Sequence, residues 1–285
     1  MTRLRRAALL FPLAAALLAG CAALDPAPPA DPARRETVLA VTADAELIRF
    51  VAGEPGHLLA RRPLAGLPAG ERLVGIDFRV ARGVLYALSS GGRLFTLDPA
   101  TARLTPVGQG AAVALPEGVI GFDFNPAADR IRVVGGDGGN LRLHPDTGAL
   151  AAADPAVAYA PGDVAHGQAP QLAGAAYTYN PRDDKLTTNY AIDRARGTLV
   201  TQGTPEGAQP AVSPNTGRLF TVGPLGTGSV DDAAFDIADV DNTALAALRR
   251  HGRTRLHQID LRTGRARDLG PIGDGRALWG LAIQP

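Results

Sequence analysis

Three aspartates hold the same place in a recurring four-residue stretch. Asp77 lies in Gly75-Ile76-Asp77-Phe78, Asp123 in Gly121-Phe122-Asp123-Phe124 and Asp236 in Ala234-Phe235-Asp236-Ile237. Carboxylates gathered at one point offer the hard oxygen ligands that a cation takes. Each stretch alternates, so Ile76/Phe78, Phe122/Phe124 and Phe235/Ile237 share one face and the acids point elsewhere. If the stretches are the inner strands of a ring, Asp77, Asp123 and Asp236 line its axial channel. Two further copies, Gly174-Ala175-Ala176-Tyr177 and Gly280-Leu281-Ala282-Ile283, keep the shape and carry alanine in the acid's place. The carboxylate ring is therefore incomplete. That favours structural use, in which each acid accepts hydrogen bonds from an arginine or a turn amide.

Other chemistry finds less support. Ser89, Ser90, Ser213 and Ser229 lie outside any Gly-x-Ser-x-Gly elbow. The histidines, His57, His144, His166, His251 and His257, are dispersed without metal-ligand spacing, and His144 stands where a turn residue belongs. Gly135 to Asn140 is glycine-rich enough to cradle a phosphate, but a strand follows it where that mechanism needs a helix. It reads as a hairpin turn. Asp231, Asp232, Asp236, Asp239 and Asp241 cluster without the glycine and terminal glutamate of a calcium loop, and fit a solvated turn. No catalytic constellation, metal site or cofactor is expected from these residues.

The recurring stretches predict an all-β chain. They lie roughly 45 to 60 residues apart, the spacing of a small antiparallel sheet repeated around a ring. The first full unit runs through Val84 to Leu88, Leu94 to Leu97 and Leu104 to Val107. The second runs through Arg130 to Val134, Leu141 to Leu143 and Ala149 to Ala151, with turns at matching places. The third takes Leu186 to Ile192, Thr198 to Val200 and Arg218 to Val222. The fourth takes Ala244 to Leu248, Thr254 to Ile259 and Ala266 to Leu269. Alanine and leucine give Ala244 to Leu248 a local helical preference, which its place in the repeat overrides. Leu278 to Ile283 is an inner strand with nothing after it, and Val38 to Val51 supplies strands with no inner strand before them. Joined, they complete a blade and leave no free edge. The expectation is a β-propeller of about five four-stranded blades closed by the N- and C-terminal strands, or six if Thr204 to Leu225 forms a sheet of its own.

The N-terminus has another character. Arg3, Arg5 and Arg6 precede an apolar run from Ala7 to Leu18, too short to span a bilayer and typical of a signal-peptide core. Leu18-Ala19-Gly20-Cys21 resembles a bacterial lipobox, which implies cleavage before Cys21 and lipidation of its sulfur. Acyl chains hold a protein to a membrane through about 0.8 kcal/mol per buried methylene. Ala22 follows where an aspartate would favour inner-membrane retention, so the expected address is the outer membrane, facing the periplasm. Residues 1–20 read as a lipoprotein signal peptide, 21–36 as the lipidated cysteine and a Pro/Ala-rich tether, and 37–285 as one propeller domain. Cys21 is the only cysteine, and the formal net charge is +1. That charge gives no pull toward nucleic acid. Lys185 is the only lysine, and the arginines are scattered along the chain, a pattern read as codon bias more than recognition.

Several longer motifs carry a family likeness: Gly121-Phe122-Asp123-Phe124-Asn125-Pro126 with Asp129 to Val134, Asn140-Leu141-Arg142-Leu143, Val212-Ser213-Pro214-Asn215-Thr216-Gly217 and Asp241-Asn242-Thr243-Ala244-Leu245. Together they resemble the bacterial family of domain of unknown function 4394. The resemblance implies a secreted, propeller-like protein and supplies no activity. The expected role is non-enzymatic: a membrane-anchored propeller that binds or scaffolds an unidentified protein or small molecule in the cell envelope, with the Ala153–Gln171 and Thr204–Thr216 loops as recognition surface. The alternative is a metal-dependent hydrolase or lyase working through an Asp-lined axial channel.

Overall fold

The computed structural model describes residues 31, 33–118 and 120–285. The readings on residues 1–20 and on Cys21 lie outside the described residues.

Short apolar runs bounded by Gly, Pro, Asn and Asp become strands and turns along the chain. Blade 1 contains β1 (Thr37–Thr42), β2 (Glu46–Val51) and β3 (Leu58–Pro63). Blade 2 is β4 (Leu73–Arg79), β5 (Val84–Ser89), β6 (Leu94–Leu97) and β7 (Leu104–Pro106). Blade 3 is β8 (Ile120–Asn125), β9 (Arg130–Gly135), β10 (Asn140–Leu143) and β11 (Leu150–Ala153). The short β12 (Ala158–Tyr159) leads to blade 4, formed by β13 (Leu172–Tyr177), β14 (Asn189–Asp193), β15 (Thr198–Gln202) and β16 (Arg218–Pro224). Blade 5 is β17 (Asp232–Ile237), β18 (Ala244–Arg250), β19 (Arg253–Ile259) and β20 (Ala266–Pro271). The last strand, β21 (Leu278–Ile283), returns to blade 1.

Each blade is a four-stranded antiparallel meander, and β12 adds a parallel edge to blade 4. The ring closes as expected: β21 pairs with β1 in the register Val38↔Ile283, Leu39↔Ala282 and Ala40↔Leu281. It supplies blade 1 with its inner strand. The five-blade count holds, and the six-blade variant does not. Between Gly203 and Gly217 the chain runs through turns and one short 3-10 segment, so only β16 is left to pair, and it becomes the outer strand of blade 4. Ala244–Arg250 is β, hydrogen-bonded on both sides by β17 and β19. Pairing with two neighbours outweighs the helical preference of alanine and leucine.

The apolar core is divided into five clusters, one in each seam between adjacent blades. The recurring glycine explains how tightly the inner strands meet. A Cβ on Gly75 would lie 2.4 Å from the Cβ of Phe122 in the next blade. The seam between blades 3 and 4 has the smallest cluster, Val134, Val157, Tyr159, Ala165, Leu172, Ala175, Ala191, Val200 and Leu219. Buried polar residues fill the rest of it: Arg132, Asn140, Asn189 and Gln202.

Candidate functional site

Alternation and the ring bring Asp77, Asp123 and Asp236 together at the axis. One carboxylate oxygen from each lies within 4.8 Å of the other two, and the three side chains are buried. They are the only metal-compatible cluster of three or more such groups among the described residues.

The hydrogen bonds explain why three acids serve five blades. Each inner strand presents one main-chain N–H just past the acid position: Phe78, Phe124, Tyr177, Ile237 and Ile283. Asp77 accepts from Phe78 in its own strand and from Phe124 in the next blade, both at 2.7 Å. Asp236 does the same for Ile237 and Ile283, both at 2.6 Å. Asp123 accepts only from Tyr177, at 2.8 Å. Ala176 and Ala282 thus leave no amide orphaned, because the preceding blade's aspartate reaches forward to it: Asp123 to the Tyr177 amide and Asp236 to the Ile283 amide. The partners are inner-strand amides, where arginines or turn amides had been expected. Three carboxylates offer six oxygens to five amides, and among the described residues the sixth, on Asp123, has no amide partner.

No arginine or lysine forms an ion pair with any of the three among the described residues. Burial first, then the charge of Asp236, pushes the Asp77 carboxyl well above the usual range. Burial, followed by the charges of Asp77 and Asp236, does the same to Asp123. Burial also raises Asp236 to about 7 and the neighbouring Asp239 to about 6. With no cationic partner among the described residues, burial favours the protonated forms of these acids.

The acids form the floor of a cavity of about 410 Å³. Its walls are the loops between first and second strands of blades 2 to 5: Val80 and Ala81, Pro126 and Asp129, Tyr179 and Asp184, Asp239 and Val240. Asn242 ties two of those loops, accepting from the Tyr179 amide at 2.9 Å and donating to its carbonyl at 3.0 Å. The one arginine at the wall, Arg79, is already committed to Asp129 and Asp146, at 2.5 Å from each. Beyond the acids, the axis narrows to a void of about 10 Å³ between Val74, Ile120, Phe122, Phe235, Trp279 and Leu281. Apolar side chains of the inner strands crowd the axis at that end.

The remaining sequence candidates separate. His144 sits in its turn, where the Asp146 amide meets its Nδ1 at 3.3 Å. Gly135 to Gly139 forms the hairpin turn, with the Gly138 amide on the Gly135 carbonyl. Of the acidic cluster, Asp236 goes to the axis, Asp239 to the pocket wall and Asp241 to its turn, accepting from the Thr243 amide. Loop 153–171 is pinned by Asp163, which accepts from the Thr221 amide and hydroxyl. The arginines are not all scattered: register places Arg142 opposite Arg132, with Arg130 on the same face of β9. Asn215 then accepts from Arg132 across the seam at 2.6 Å. Sequence reasoning missed this group, and the signal was the Arg130-x-Arg132 alternation facing Arg142 across a hairpin.

The family model for a domain of unknown function, DUF4394, matches residues 46–282. No curated protein matches the chain. Among solved structures, one similar chain is a structural genomics protein of unknown function from Bacteroides thetaiotaomicron, 11% identical with a TM-score of 0.49; the match covers 88% of this chain and 66% of that one, just under two thirds. Another is a putative 6-phosphogluconolactonase from Bacteroides fragilis, 18% identical with a TM-score of 0.41, covering 87% of this chain and 70% of that one.

Proposed function

The chain belongs to the DUF4394 family, whose definition carries no activity, and we propose that it is an envelope-anchored binding propeller whose axial pocket holds a divalent cation and, above it, a small ligand. Lipidation at Cys21 provides the anchor in this reading, and the residues between it and Asp31, whose amide donates to the Gly53 carbonyl of the propeller, provide the tether. The observation that supports the pocket's role is the oxygen set at its floor. Three buried carboxylates lie within 4.8 Å of one another, without a cationic partner among the described residues. Oxygens at that separation fit a hard cation with ligand distances of about 2.3–2.6 Å. Asp123 contributes the oxygen that no amide uses, and Asp77 and Asp236 contribute oxygens already polarised by main-chain N–H groups. A cation there neutralises charge that burial otherwise resists. Waters or ligand atoms from the cavity complete its coordination.

The test is metal analysis of the purified chain, followed by calorimetric titration of the chelator-treated protein with Ca²⁺, Mg²⁺, Mn²⁺ and Zn²⁺. Stoichiometric binding by wild type and its loss in Asp123→Asn are expected. A chain that binds none of the four, with its fold intact by circular dichroism, sinks the reading. A hydrolase or lyase built on the same cation is the second reading, favoured by a cavity large enough for a substrate directly above the acids. Metal-dependent turnover of a lactone or ester panel decides for it.

A further inference from the structure

A second cavity, of about 300 Å³, opens in the seam between blades 3 and 4 at the same end of the ring as the axial pocket. Its polarity is reversed. Arg130 and Arg132 come from β9, Arg142 from β10, and Lys185 from the β13–β14 connection. We propose that this seam pocket is an oxyanion subsite that takes the phosphate or carboxylate group of a small molecule.

Arg132 is the anchor. Its side chain is 1% exposed, and its Nε donates to the Tyr177 hydroxyl at 3.0 Å. Nη1 donates to Asn140 and Asp154, both at 2.7 Å, and Nη2 to Asn215 at 2.6 Å. Those bonds engage four of the five N–H groups a guanidinium carries, leaving one on Nη2. Arg142 grips Asp154 through Nε and Nη2, at 2.8 Å each, so its Nη1 has no partner among the described residues. Arg130 donates to the Asp129 carbonyl through Nη1. Lys185 makes no ion pair among the described residues.

Of these four cations only Arg132 and Arg142 pair with a carboxylate, Asp154, and no acidic side chain lines the cavity, so positive charge stands there beside unused N–H donors. A buried arginine held rigid by four bonds presents its remaining donor at little entropic loss, and guanidinium forks match oxyanions bidentately. Neutral donors and acceptors complete the lining: Asn125, Thr187, Ser213 and Asn215. A phosphate or carboxylate placed here satisfies the free donors and balances the charge without displacing any bond that holds the seam. This inference stands independently of the cation at the axis.

Lys185, the only lysine in the chain, supplies the probe. Reductive ¹³C-methylation of the full chain gives one lysine side-chain signal. It is titrated with inorganic phosphate and, separately, with acetate, both in EDTA so that neither anion arrives as the ligand of a cation. A saturable shift with phosphate alone assigns a phosphate group, and an equal or stronger response to acetate assigns a carboxylate. Either outcome supports the subsite. Arg142→Gln and Arg130→Gln each weaken the response by at least about tenfold, the loss expected for one charge-assisted hydrogen bond. The proposal is overturned if neither anion gives a saturable shift below about 20 mM, or if both variants bind as wild type does.

Discussion

The axial pocket and the seam pocket open on the same end of the ring and share Tyr177 and Asn125 in their linings, yet they bury charge in opposite ways. At the axis, three carboxylates are held by five main-chain amides that ring closure places there in any case. In the seam, one guanidinium is held by side chains from two blades: Asn140 and Asp154 of blade 3, Tyr177 and Asn215 of blade 4. A third arrangement lies one seam away. Arg79 pairs with Asp129 and Asp146, whose side chains are 51% and 46% exposed. The comparison teaches that the seams are not equivalent. Where Arg79 binds acids that water can also solvate, loss of either side is tolerable; where Arg132 binds the buried side chains of Asp154 and Asn140, it is not.

The largest effect should therefore separate two arginines. Arg132→Met leaves a buried carboxylate, two amide oxygens and a tyrosine hydroxyl short of a donor, and is expected to destabilise by about 3–5 kcal/mol. Arg79→Met frees two half-solvated aspartates and should cost about 1–2 kcal/mol. Urea denaturation of the two variants measures both, and equal losses would break the distinction between the seams.

The next contrast lies within the axial group. Asp77→Ala and Asp236→Ala each orphan two buried amides, with an expected loss of about 2–4 kcal/mol. Asp123→Ala orphans one and should lose about half as much. Equal losses in the three variants would show that the acids act as a charge cluster and not as amide acceptors.

What the sequence made legible follows the same division. The acids were found because they recur with the blade, and the inner strands, hairpins and ring closure come from that repeat. Their partners were less visible. Nothing in Gly-x-Asp-x shows that Asp77 bonds backward to Phe78 and forward to Phe124, since the second contact depends on how closely neighbouring blades approach at Gly75. Arg132 was harder still. It occurs once, in a strand whose other positions read as ordinary, and its five-residue network joins groups up to 83 positions apart. Repetition advertises a residue; a single asymmetric seam does not.

The pH dependence sharpens the contrast in charge. Asp236 is raised to about 7 in the folded chain, above its unfolded value near 3.8. Asp77 and Asp123 are raised in the same sense, so the folded state holds protons that the unfolded state releases first, and in EDTA stability falls as pH rises out of the unfolded carboxylate range. From pH 5 to pH 7 Asp236 alone contributes a loss on the order of 2 kcal/mol, and Ca²⁺ at pH 7.5 should restore it if the axial acids bind that ion. In the seam, burial pushes Asp154 up, but the bonds from Arg142 and Arg132 win and hold its carboxyl below the ordinary value. Its contribution has the opposite sign, lost only as pH falls below the unfolded carboxylate range. Thermal melts from pH 3 to pH 8 resolve both limbs, and Arg142→Gln should weaken only the acidic one.

The smallest effect on stability is the most discriminating. Asp123→Asn keeps one oxygen to accept from Tyr177, and its new NH₂ lies where no main-chain amide competes. It also removes one of three mutually repelling carboxylates. In EDTA at pH 7.5 the variant should match wild type within about 0.5 kcal/mol or exceed it slightly. Asp77→Asn and Asp236→Asn differ, because each already accepts from two amides and the substituted NH₂ must face one of them, donor against donor. Those variants should lose about 1–3 kcal/mol. Unfolding curves of the three asparagine variants in EDTA, set beside their divalent-cation affinities, then separate the two duties of the acids. If Asp123→Asn unfolds as readily as the other two, the sixth oxygen is not spare, and the asymmetry that singles out Asp123 as the cation's ligand disappears.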